Sequence, residues 1–430
     1  MVYRNKNSLR RLQINKIPDL LSEDEVIAIL DIPRTTFYDM KLNGKIHVLN
    51  FGNTERFNKT EVIKLKGTFD RKKEKNDKHL INEFIKDGKS NLKMIWGDAR
   101  YVLSNMMDNS IDVMVTSPPY FNARDYSIWE SLEDYLKDMT AIFTECFRVL
   151  GNHRNFVLNV GDINCQLGKQ PWTNRRIPLG ALFTTIFQDI GFKFSDDFIW
   201  DKGEPQSFRH QNGKNQYPFY IYPVNCYEHI LIFQKHIQDM TRIACPVCGS
   251  LDVQNNSQSE IGVQSWECNN LKCPQRSAGN RGKRFSARSI MMNYGKKKEN
   301  WIDDSLISKW RRDIVKFSPV VKIGRNGENR AGHSAPFPLD IPEMAIKYYS
   351  FVGDKILDPF SGSFTTAIAA YQAGRIGIGI DVNKKLYRNI VIERIKKEQR
   401  NNNKLFGNKE ITYQELDVLK QYHLPRKRKN

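Results

Sequence analysis

The chain contains one stretch, Ile111-Asp112-Val113-Met114-Val115-Thr116-Ser117-Pro118-Pro119-Tyr120, in which an apolar run ends in two prolines. A short apolar run bounded by a turn signal is typical of a buried strand. Proline cannot donate a backbone hydrogen bond and biases the preceding residue toward extended geometry, so the strand must end in a stiff, open turn. This turn exposes the Ser117 hydroxyl, free carbonyl groups and the Tyr120 ring. Acceptors beside a ring suit a flat heterocycle that bears an amino group; a proline-rich turn or a peptide-docking segment is the alternative.

A second stretch, Asp358-Pro359-Phe360-Ser361-Gly362-Ser363-Phe364-Thr365-Thr366, lies between a predicted strand at 355–357 and a predicted helix. Doubly wound sheets bind cofactors at such loops, because glycine lets the backbone approach and the helix N-terminus presents free N–H groups. The next predicted strand ends at Asp381, where an acid suits a ribose diol. The loop does not match the phosphate-binding pattern G-x-G-x-x-G, and it is too short and too acidic for a P-loop.

Predicted strands and helices alternate from residue 92 to residue 233 and resume after residue 332. Helices are expected at 132–150, 179–190 and 341–350, each with an apolar side. This alternation predicts an α/β protein with a doubly wound, mostly parallel sheet that is covered on both faces.

The composition favours a polyanionic partner. The 430 residues suggest two to four domains at ~150 residues each, and 67 Lys and Arg against 48 Asp and Glu give a formal charge of +19. Nucleic acid is the first expectation and an anionic membrane surface the second. No segment approaches the ~18 apolar residues of a membrane span, and the first residues lack the apolar core of a signal peptide, so a cytoplasmic location is expected.

Residues 18–66 predict a small module of their own. Ser22-Glu23-Asp24-Glu25 matches a capping box before an apolar helical stripe, a second helix covers 35–42, and a short hairpin follows. This order resembles the helix-turn-helix with a wing of excisionase-like and MerR-like DNA-binding modules. The resemblance implies that a recognition helix faces DNA with Arg34, Thr35, Thr36 and Tyr38. A helical cap that only packs on the next domain is the alternative, and the charged stretch 66–78 is a linker or a solvated helix.

Four of the seven cysteines, Cys245, Cys248, Cys268 and Cys273, occur as two pairs with a spacing close to that of four-thiolate zinc ribbons. One structural zinc ion in a reduced compartment explains them better than a disulfide framework does, and four reduced thiols in a loop are the alternative. Cys146, Cys165 and Cys226 are expected to be core or incidental residues. A basic segment follows the second pair and suits a phosphate backbone, although it can also be a merely solvated loop; it contains Arg276, Arg281, Lys283, Arg284 and Arg288.

The chain resembles the S-adenosylmethionine-dependent amino-methyltransferases of DNA in the motifs that follow its predicted strands. Ser-Pro-Pro-Tyr follows one strand, and Asp-Pro-Phe-Ser-Gly-Ser and a later Gly-Ile-Asp lie at the ends of others. The order of the motifs resembles the permuted, beta-type class, in which the catalytic motif precedes the cofactor motif and a target-recognition region lies between them. The resemblance covers roughly residues 90–240 and 300–395. It implies a class I methyltransferase-like, Rossmann-like sheet that binds S-adenosylmethionine and double-stranded DNA, with no membrane partner.

Carried over by position, the resemblance implies a catalytic turn that consists of Ser117, Pro118, Pro119 and Tyr120. It implies that the cofactor is bound by Asp98, His333, Asp358, Phe360, Gly362, Ser363, Thr365 and Asp381. Of these, Asp98 matches the contact to the adenine amino group, Asp381 the contact to the ribose, and His333 the segment over the methionine end. The family usually has glycine in place of Phe364, and a side chain there puts the approach of the cofactor in doubt.

The resemblance implies methylation of an exocyclic base amine, and Ser-Pro-Pro-Tyr tends to accompany cytosine N4. Adenine N6 is the alternative. Other options are a DNA-binding regulator whose methyltransferase domain is inactive, and methylation of RNA or a small molecule. A prokaryotic or phage-encoded, nucleoid-associated protein is expected. A cognate restriction endonuclease and the oligomeric state are left open.

These expectations divide the chain into six parts. They are a helix-turn-helix module (1–66), a charged linker (67–90), the catalytic half of the methyltransferase domain (91–240), a target-recognition insert with the zinc ribbon (241–330), the S-adenosylmethionine-binding half (331–400) and a basic tail (401–430).

Overall fold

The computed structural model describes residues 19–51, 54–122, 129–166, 174–203, 225–259, 262–276, 284–318, 338–406 and 411–418. The chain divides into two compact units, residues 1–80 and 81–430. Across the described residues, no helix is both long enough and apolar enough to cross a membrane.

The N-terminal unit combines short helices with a small antiparallel sheet. Its elements are β1 (Leu20–Leu21), α1 (Glu23–Leu30), α2 (Arg34–Leu42), β2 (Leu49–Phe51), β3 (Thr54–Asn58) and the start of α3 (Lys59–Lys86). The Ser22 side chain caps α1, and Glu25 returns the bond to the Ser22 backbone, so the predicted capping box is present. Strand β3 is central, because it pairs antiparallel with both β1 and β2. Val26, Phe37 and Phe57 are buried between these elements.

The charged stretch 66–78 lies within α3, so it is a helix and not an extended linker. At the far end of this helix, the buried Lys93 ammonium donates to the carbonyls of Phe84 and Asp87 at 2.7 and 2.5 Å. These carbonyls belong to the last turn of the helix and to the residue that follows it, where no intrahelical donor is left. A cation at a helix C-terminus also opposes the negative end of the helix dipole, so Lys93 stabilises the end of α3.

The larger unit is an alternating α/β chain interrupted by an insert. After α3 its elements are β4 (Leu92–Trp96), α4 (Ala99–Asn105), β5 (Ile111–Thr116), α5 (Leu132–Val149), β6 (Leu150–Val160), β7 (Ile163–Gln166), β8 (Asn174–Ile177), α6 (Leu179–Ile190), β9 (Lys193–Asp201), β10 (Tyr227–Gln234), β11 (Val253–Gln258), β12 (Gln264–Cys268), α7 (Ala287–Gly295), α8 (Asp304–Trp310), β13 (Ile314–Lys316), α9 (Asp340–Tyr349), β14 (Lys355–Asp358), α10 (Thr365–Gln372), β15 (Ile376–Asp381), α11 (Lys384–Phe406) and β16 (Tyr413–Asp417).

Within the described residues, nine strands form one sheet in the order β13-β9-β10-β6-β5-β14-β15-β4-β16. Strand β10 is antiparallel to both of its neighbours, β9 and β6, whereas the pairs from β6 to β16 and the pair β13-β9 are parallel. The predicted mostly parallel sheet is therefore confirmed. The described part of the insert adds a separate antiparallel hairpin, β11-β12.

Both faces of the sheet are covered, as the apolar strands require. Side chains alternate along a strand, so Met114 of β5 packs in the cluster with Phe143 of α5 and Phe183 of α6. Its neighbours Val113 and Val115 pack in the cluster on the other face, which includes residues of α9 and α10. This double cover leaves the strand ends as the accessible part of the sheet.

Candidate active site at the strand ends

Four strand ends bring the two predicted motifs together. Strands β5, β14, β15 and β4 are consecutive and parallel, so their carboxyl ends lie at one edge of the sheet. Along the chain, β5 leads to β6 on one side, whereas β14 leads to β15 on the other. The point where the strand order reverses is where open α/β sheets bind ligands. The sequence Ser117 to Tyr120 follows β5, and the loop that begins at Asp358 follows β14, so the two stretches flank this point.

A buried hydrogen bond joins the two motifs. Thr116 Oγ1 donates to Asp358 Oδ1 at 2.6 Å, and the backbone N–H of Phe360 donates to the same oxygen at 3.0 Å. Burial raises the pKa of the Asp358 carboxyl to about 6, against the lowering effect of the Thr116 hydroxyl. Among the described residues, the other carboxyl oxygen, Oδ2, is buried without a hydrogen-bond partner. An unmatched acceptor of this kind is suited to a donor from a bound ligand.

The Ser-Pro-Pro-Tyr turn is fixed from behind. Tyr135 Oη of α5 donates to the Pro119 carbonyl at 2.9 Å, and Pro118 is buried. The Tyr120 hydroxyl donates to Glu228 Oε2 at 3.0 Å and accepts from the Gly161 N–H at 2.8 Å. Burial, followed by the nearby Glu228 charge, raises the pKa of Tyr120 well above its usual value, so the phenol stays protonated. The turn is therefore rigid, and the Pro119 carbonyl is already engaged.

The carboxylate of Asp381 organises the cofactor loop. Its Oδ2 accepts from the Gly362 N–H at 2.9 Å, and its Oδ1 accepts from the Asn383 N–H at 2.7 Å. Burial raises its pKa to about 6. Asp98, at the end of neighbouring β4, caps α4 through its Oδ1, which accepts from two backbone N–H groups. The structure thus brings Asp98, Asp358 and Asp381 to one edge of the sheet, as the sequence predicted.

The ring of Phe364 is packed in the protein core. Phe364 has φ +59° and ψ +33°, the left-handed conformation that favours glycine, immediately before α10. Its fully buried side chain packs against Trp96, with ring centroids 5.1 Å apart. A Cβ on Gly379 of β15 would lie 2.4 Å from the Phe364 ring, so the absent side chain at Gly379 makes room for the ring. The ring is therefore packed in the core beside β4 and β15, and the effect of Phe364 on cofactor binding stays a prediction.

Arg394 of α11 binds the loop that follows β14. Its Nη1 donates to the Ser363 carbonyl at 2.7 Å and to the hydroxyls of Ser363 and Thr365 at 2.9 Å each. Burial lowers the pKa of its guanidinium. The side chains of Ser363 and Thr365, predicted to border the cofactor, are thus buried and directed at Arg394.

Comparison with known proteins identifies the family. A family model described as DNA methylase, for the N6 and N4 methyltransferases, matches residues 111–393. The chain belongs to the N6/N4 DNA methylase family. The resemblance predicted from the two strand-end motifs is therefore confirmed at the level of the family.

This DNA methylase is 38% identical over 307 residues to the type II beta methyltransferase M.BslI of Bacillus sp. (strain NEB-606); the match covers 70% of the chain but 27% of M.BslI, so the chain spans about a quarter of that relative. It is 26% identical over 341 residues to the type II methyltransferase M.SmaI of Serratia marcescens, covering 75% of the chain and 98% of M.SmaI. Among solved structures, the putative DNA modification methylase TTHA0409 of Thermus thermophilus, in complex with S-adenosyl-L-methionine, is 21% identical with a TM-score of 0.49, over 76% of this chain and 100% of that chain.

The four clustered cysteines of this DNA methylase meet in space. Their sulfurs all lie within 4.8 Å of one another, with 3.9 Å between Cys245 and Cys273 and 3.6 Å between Cys248 and Cys268. A disulfide requires sulfurs about 2 Å apart, so these thiols are not bonded to each other. Four sulfurs about 2.3 Å from a tetrahedral zinc ion are roughly 3.8 Å apart, which agrees with both distances. The donor set therefore fits zinc.

The residues predicted to contact DNA differ in exposure and in whether they already bind acidic side chains. Arg34, Thr35, Thr36 and Tyr38 are all exposed at the start of α2. Arg34 forms ion pairs with Glu23 and Asp24, and the Tyr38 hydroxyl donates to Glu23 Oε1 at 2.8 Å. Acidic side chains of α1 thus already engage two of these four residues. In the insert Arg284 is exposed, whereas Arg281 and Lys283 lie outside the described residues. The predicted cofactor residue His333 also lies outside them.

Three supporting residues were not predicted from the sequence: Tyr135, Glu228 and Arg394. A weak signal existed for Glu228, because it is the only acid in the strand Tyr227–Gln234, whose centre is apolar, and a buried acid needs a partner. Tyr135 and Arg394 lie in amphipathic helices, where their spacing is that of ordinary packing residues.

Proposed function

We propose that this chain is a methyltransferase that moves the methyl group of S-adenosylmethionine to the exocyclic amine of a base flipped out of double-stranded DNA, most specifically cytosine N4. The observation that carries the proposal is the Thr116–Asp358 hydrogen bond of 2.6 Å. This bond ties the Ser-Pro-Pro-Tyr turn, which carries the acceptors, to the loop that begins at Asp358. Both segments lie at the point where the strand order of the sheet reverses. The names of the relatives, which are type II methyltransferases, support the same reaction.

The residues at the edge fit the proposed cofactor. Asp358 Oδ2 is a buried acceptor without a partner among the described residues and suits an ammonium group. Each oxygen of Asp381 accepts one backbone N–H, which leaves lone pairs for a ribose diol. Asp98, with only Oδ1 used as a helix cap, has Oδ2 for an adenine amino group. Gly362 and the backbone of Ser363 and Thr365 border the methionine part, next to Phe360. Bound S-adenosylmethionine supplies a methyl group on a sulfonium, which needs no further activation.

The chain's own contribution is to hold the amine. The lone pair of an exocyclic amine is delocalised into the ring, so the nitrogen attacks only when acceptors engage its two N–H groups and make it pyramidal. We assign this role to the Ser117 hydroxyl and the Pro118 carbonyl, while the Pro119 carbonyl accepts from Tyr135. Flipping the base costs a few kcal/mol, and stacking on the Tyr120 ring returns about 1–3 kcal/mol. No cysteine nucleophile is needed, and burial raises the pKa of the Cys146 thiol far above its usual range.

Cytosine N4 is preferred over adenine N6 because the turn begins with Ser117, which carries a neutral hydroxyl. In the family that the chain resembles, Asp or Asn at this position tends to accompany adenine N6 methylation. The test is to incubate the purified chain with DNA and S-adenosylmethionine, digest the DNA and identify the modified nucleoside by mass spectrometry. We expect N4-methylcytosine. N6-methyladenine contradicts the choice of base, and the absence of any methylated nucleoside contradicts the proposed reaction.

Target recognition is assigned to the insert and to the N-terminal unit. The zinc ribbon gives the insert a fixed hairpin, β11-β12, beside the basic residues Arg276, Arg284 and Arg288. We assign a secondary DNA contact to the start of α2, where Thr35 and Thr36 are exposed without the acidic neighbours that engage Arg34. A cognate restriction endonuclease, a nucleoid-associated cytoplasmic location and prokaryotic or phage origin belong to the same proposal.

A further inference from the structure

An open cleft of about 440 Å³ lies between the β11-β12 hairpin of the insert and the start of α7. Most of the side chains that line it carry a hydroxyl or an amide group, and Arg288 is the one charged residue in the described lining. The lining residues are Ser257, Gln258, Ser259, Val263, Ser265, Ser286, Arg288, Ser289 and Met292. A cleft lined by one cation and several neutral polar groups suits a ligand with a negative charge.

The Arg288 guanidinium is available to such a ligand. Arg288 is half-buried in the first turn of α7, and it has no hydrogen bond or ion pair with the residues that the structure describes. Burial, followed by the Arg288 charge, lowers the pKa of His236, as expected beside an arginine without a counter-ion. Arg276 differs, because its guanidinium donates to the backbone carbonyls of Cys268 and Asn269. Arg276 therefore supports the four-cysteine cluster, whereas Arg288 faces the cleft.

The hydroxyl groups of the cleft have protons left to donate. Ser259 Oγ accepts from a backbone N–H at 3.0 Å, and Ser286 Oγ accepts from another at 3.1 Å. Within the described part of the chain, neither of these hydroxyls donates a hydrogen bond. Ser257 and Ser265 share one hydrogen bond between their hydroxyls at 3.1 Å, so one of their two protons also remains. Serine hydroxyls beside an arginine are a common set of donors to phosphate oxygens.

We propose that this cleft binds one phosphodiester group of the DNA backbone, with Arg288 as the charged contact and the serine hydroxyls as neutral contacts. The inference rests on the proposed DNA substrate and deepens it. A phosphodiester carries a single negative charge, which one guanidinium neutralises, whereas a free phosphate or a nucleotide carries more charge than this lining matches. The formal charge of +19 favours a polyanion as the source of the phosphate. Phosphate contacts position a duplex without reading its sequence, so the cleft should bind all sequences alike.

The main variant is Arg288→Gln, studied by fluorescence anisotropy with a labelled DNA duplex of mixed sequence. The loss of one charged phosphate contact should weaken binding at low salt at least about tenfold. Between about 50 and 200 mM salt, the slope of log association constant against log salt should become shallower by about 0.9. Arg288→Lys keeps the charge, so it should keep the slope and lose only part of the affinity. Arg312→Gln, which removes an exposed arginine after α8, is the matched control and should leave affinity and slope close to those of the unmodified chain.

The hydroxyl contacts are tested by the double variant Ser257→Ala, Ser265→Ala. It should weaken DNA binding about threefold with an unchanged salt slope, because neutral groups release no counter-ions. This loss should become smaller when Arg288→Gln is also present, since the three side chains contact the same phosphate. Circular dichroism checks the fold of each variant, and if Arg288→Gln does not fold, Arg288→Lys and the serine variant decide.

Two results would overturn the inference while the proposed function stands. One is that Arg288→Gln binds DNA with the same affinity and salt slope as Arg312→Gln. The other is that inorganic phosphate, added at constant ionic strength, displaces DNA from the unmodified chain but not from Arg288→Gln, because free phosphate is then the ligand of the cleft. If the unmodified chain binds no DNA, the function and the inference both fail.

Discussion

Replacing Phe364 by glycine tests how the cofactor loop is built. The ring of Phe364 is completely buried against Trp96 and Gly379, so its removal leaves a cavity. Truncating a buried phenylalanine costs about 3–5 kcal/mol. The same change relieves a left-handed φ of +59° at a residue with a side chain, which returns about 1–2 kcal/mol. We therefore expect Phe364→Gly to lower the free energy of unfolding by about 1–4 kcal/mol.

Phe364→Ala is the matched variant, because it creates the same cavity but keeps a Cβ in the left-handed conformation. It should be less stable than Phe364→Gly by about 1–2 kcal/mol. Urea titrations of the full chain followed by tryptophan fluorescence measure both values, and calorimetry measures the affinity for S-adenosylmethionine. Because the ring is fully buried against Trp96 and Gly379, the affinity of folded Phe364→Gly should change by less than about threefold, or 0.7 kcal/mol. Binding at least tenfold tighter in this variant would refute the placement of the ring, and an alanine variant as stable as the glycine variant would refute the backbone argument.

Three further predictions concern the loop, its acid and the thiolate cluster. Arg394→Met should weaken S-adenosylmethionine binding at least tenfold by calorimetry, with Arg394→Lys in between, since one guanidinium nitrogen holds three loop oxygens; equal affinities contradict a positioning role. Asp381 accepts ribose hydroxyls more strongly when it is ionised, and its pKa is raised to about 6. Cofactor affinity should therefore fall as the pH drops below 6, and Asp381→Asn should flatten this dependence. The purified chain should contain one zinc ion per molecule by elemental analysis. The double variant Cys245→Ser, Cys248→Ser should lose this zinc and bind DNA more weakly, while cofactor binding survives. An unchanged DNA affinity counts against a role of the insert in DNA binding.

The raised pKa values of Asp358 and Asp381 also set the sign of a stability effect. Both groups bind protons more tightly in the folded chain than in the unfolded chain, where a carboxyl titrates near pH 4. Between about pH 4 and pH 6 the folded state therefore holds more protons, and the contribution of these two groups to stability falls as the pH rises through that window. A bound ligand with an ammonium group next to Asp358 should offset this loss.

The sequence predicted the strand-end motifs because local rules govern them. An apolar run that ends at Pro118-Pro119 must leave its strand, and a small-residue loop before a helix must expose backbone, whatever the rest of the chain does. The prediction was less complete for Ser363 and Thr365. The two residues were expected to border the cofactor, and the structure adds that Arg394, about thirty residues away in α11, engages both of their hydroxyls. Long-range pairs of this kind have no spacing pattern that a sequence would display.

By itself, the sequence determined the α/β class, the two motifs, the four-thiolate set and the family resemblance, because hydrophobic periodicity, proline and glycine rules and cysteine spacing act over a few residues. Only the tertiary structure decided which groups meet. Sheet order places β5 beside β14 and joins Thr116 to Asp358 across 242 positions of the chain. The antiparallel course of β10 brings Glu228 to Tyr120, and the absent side chain of Gly379 makes room for Phe364. These contacts follow from strand pairing and close packing, which depend on the whole chain at once.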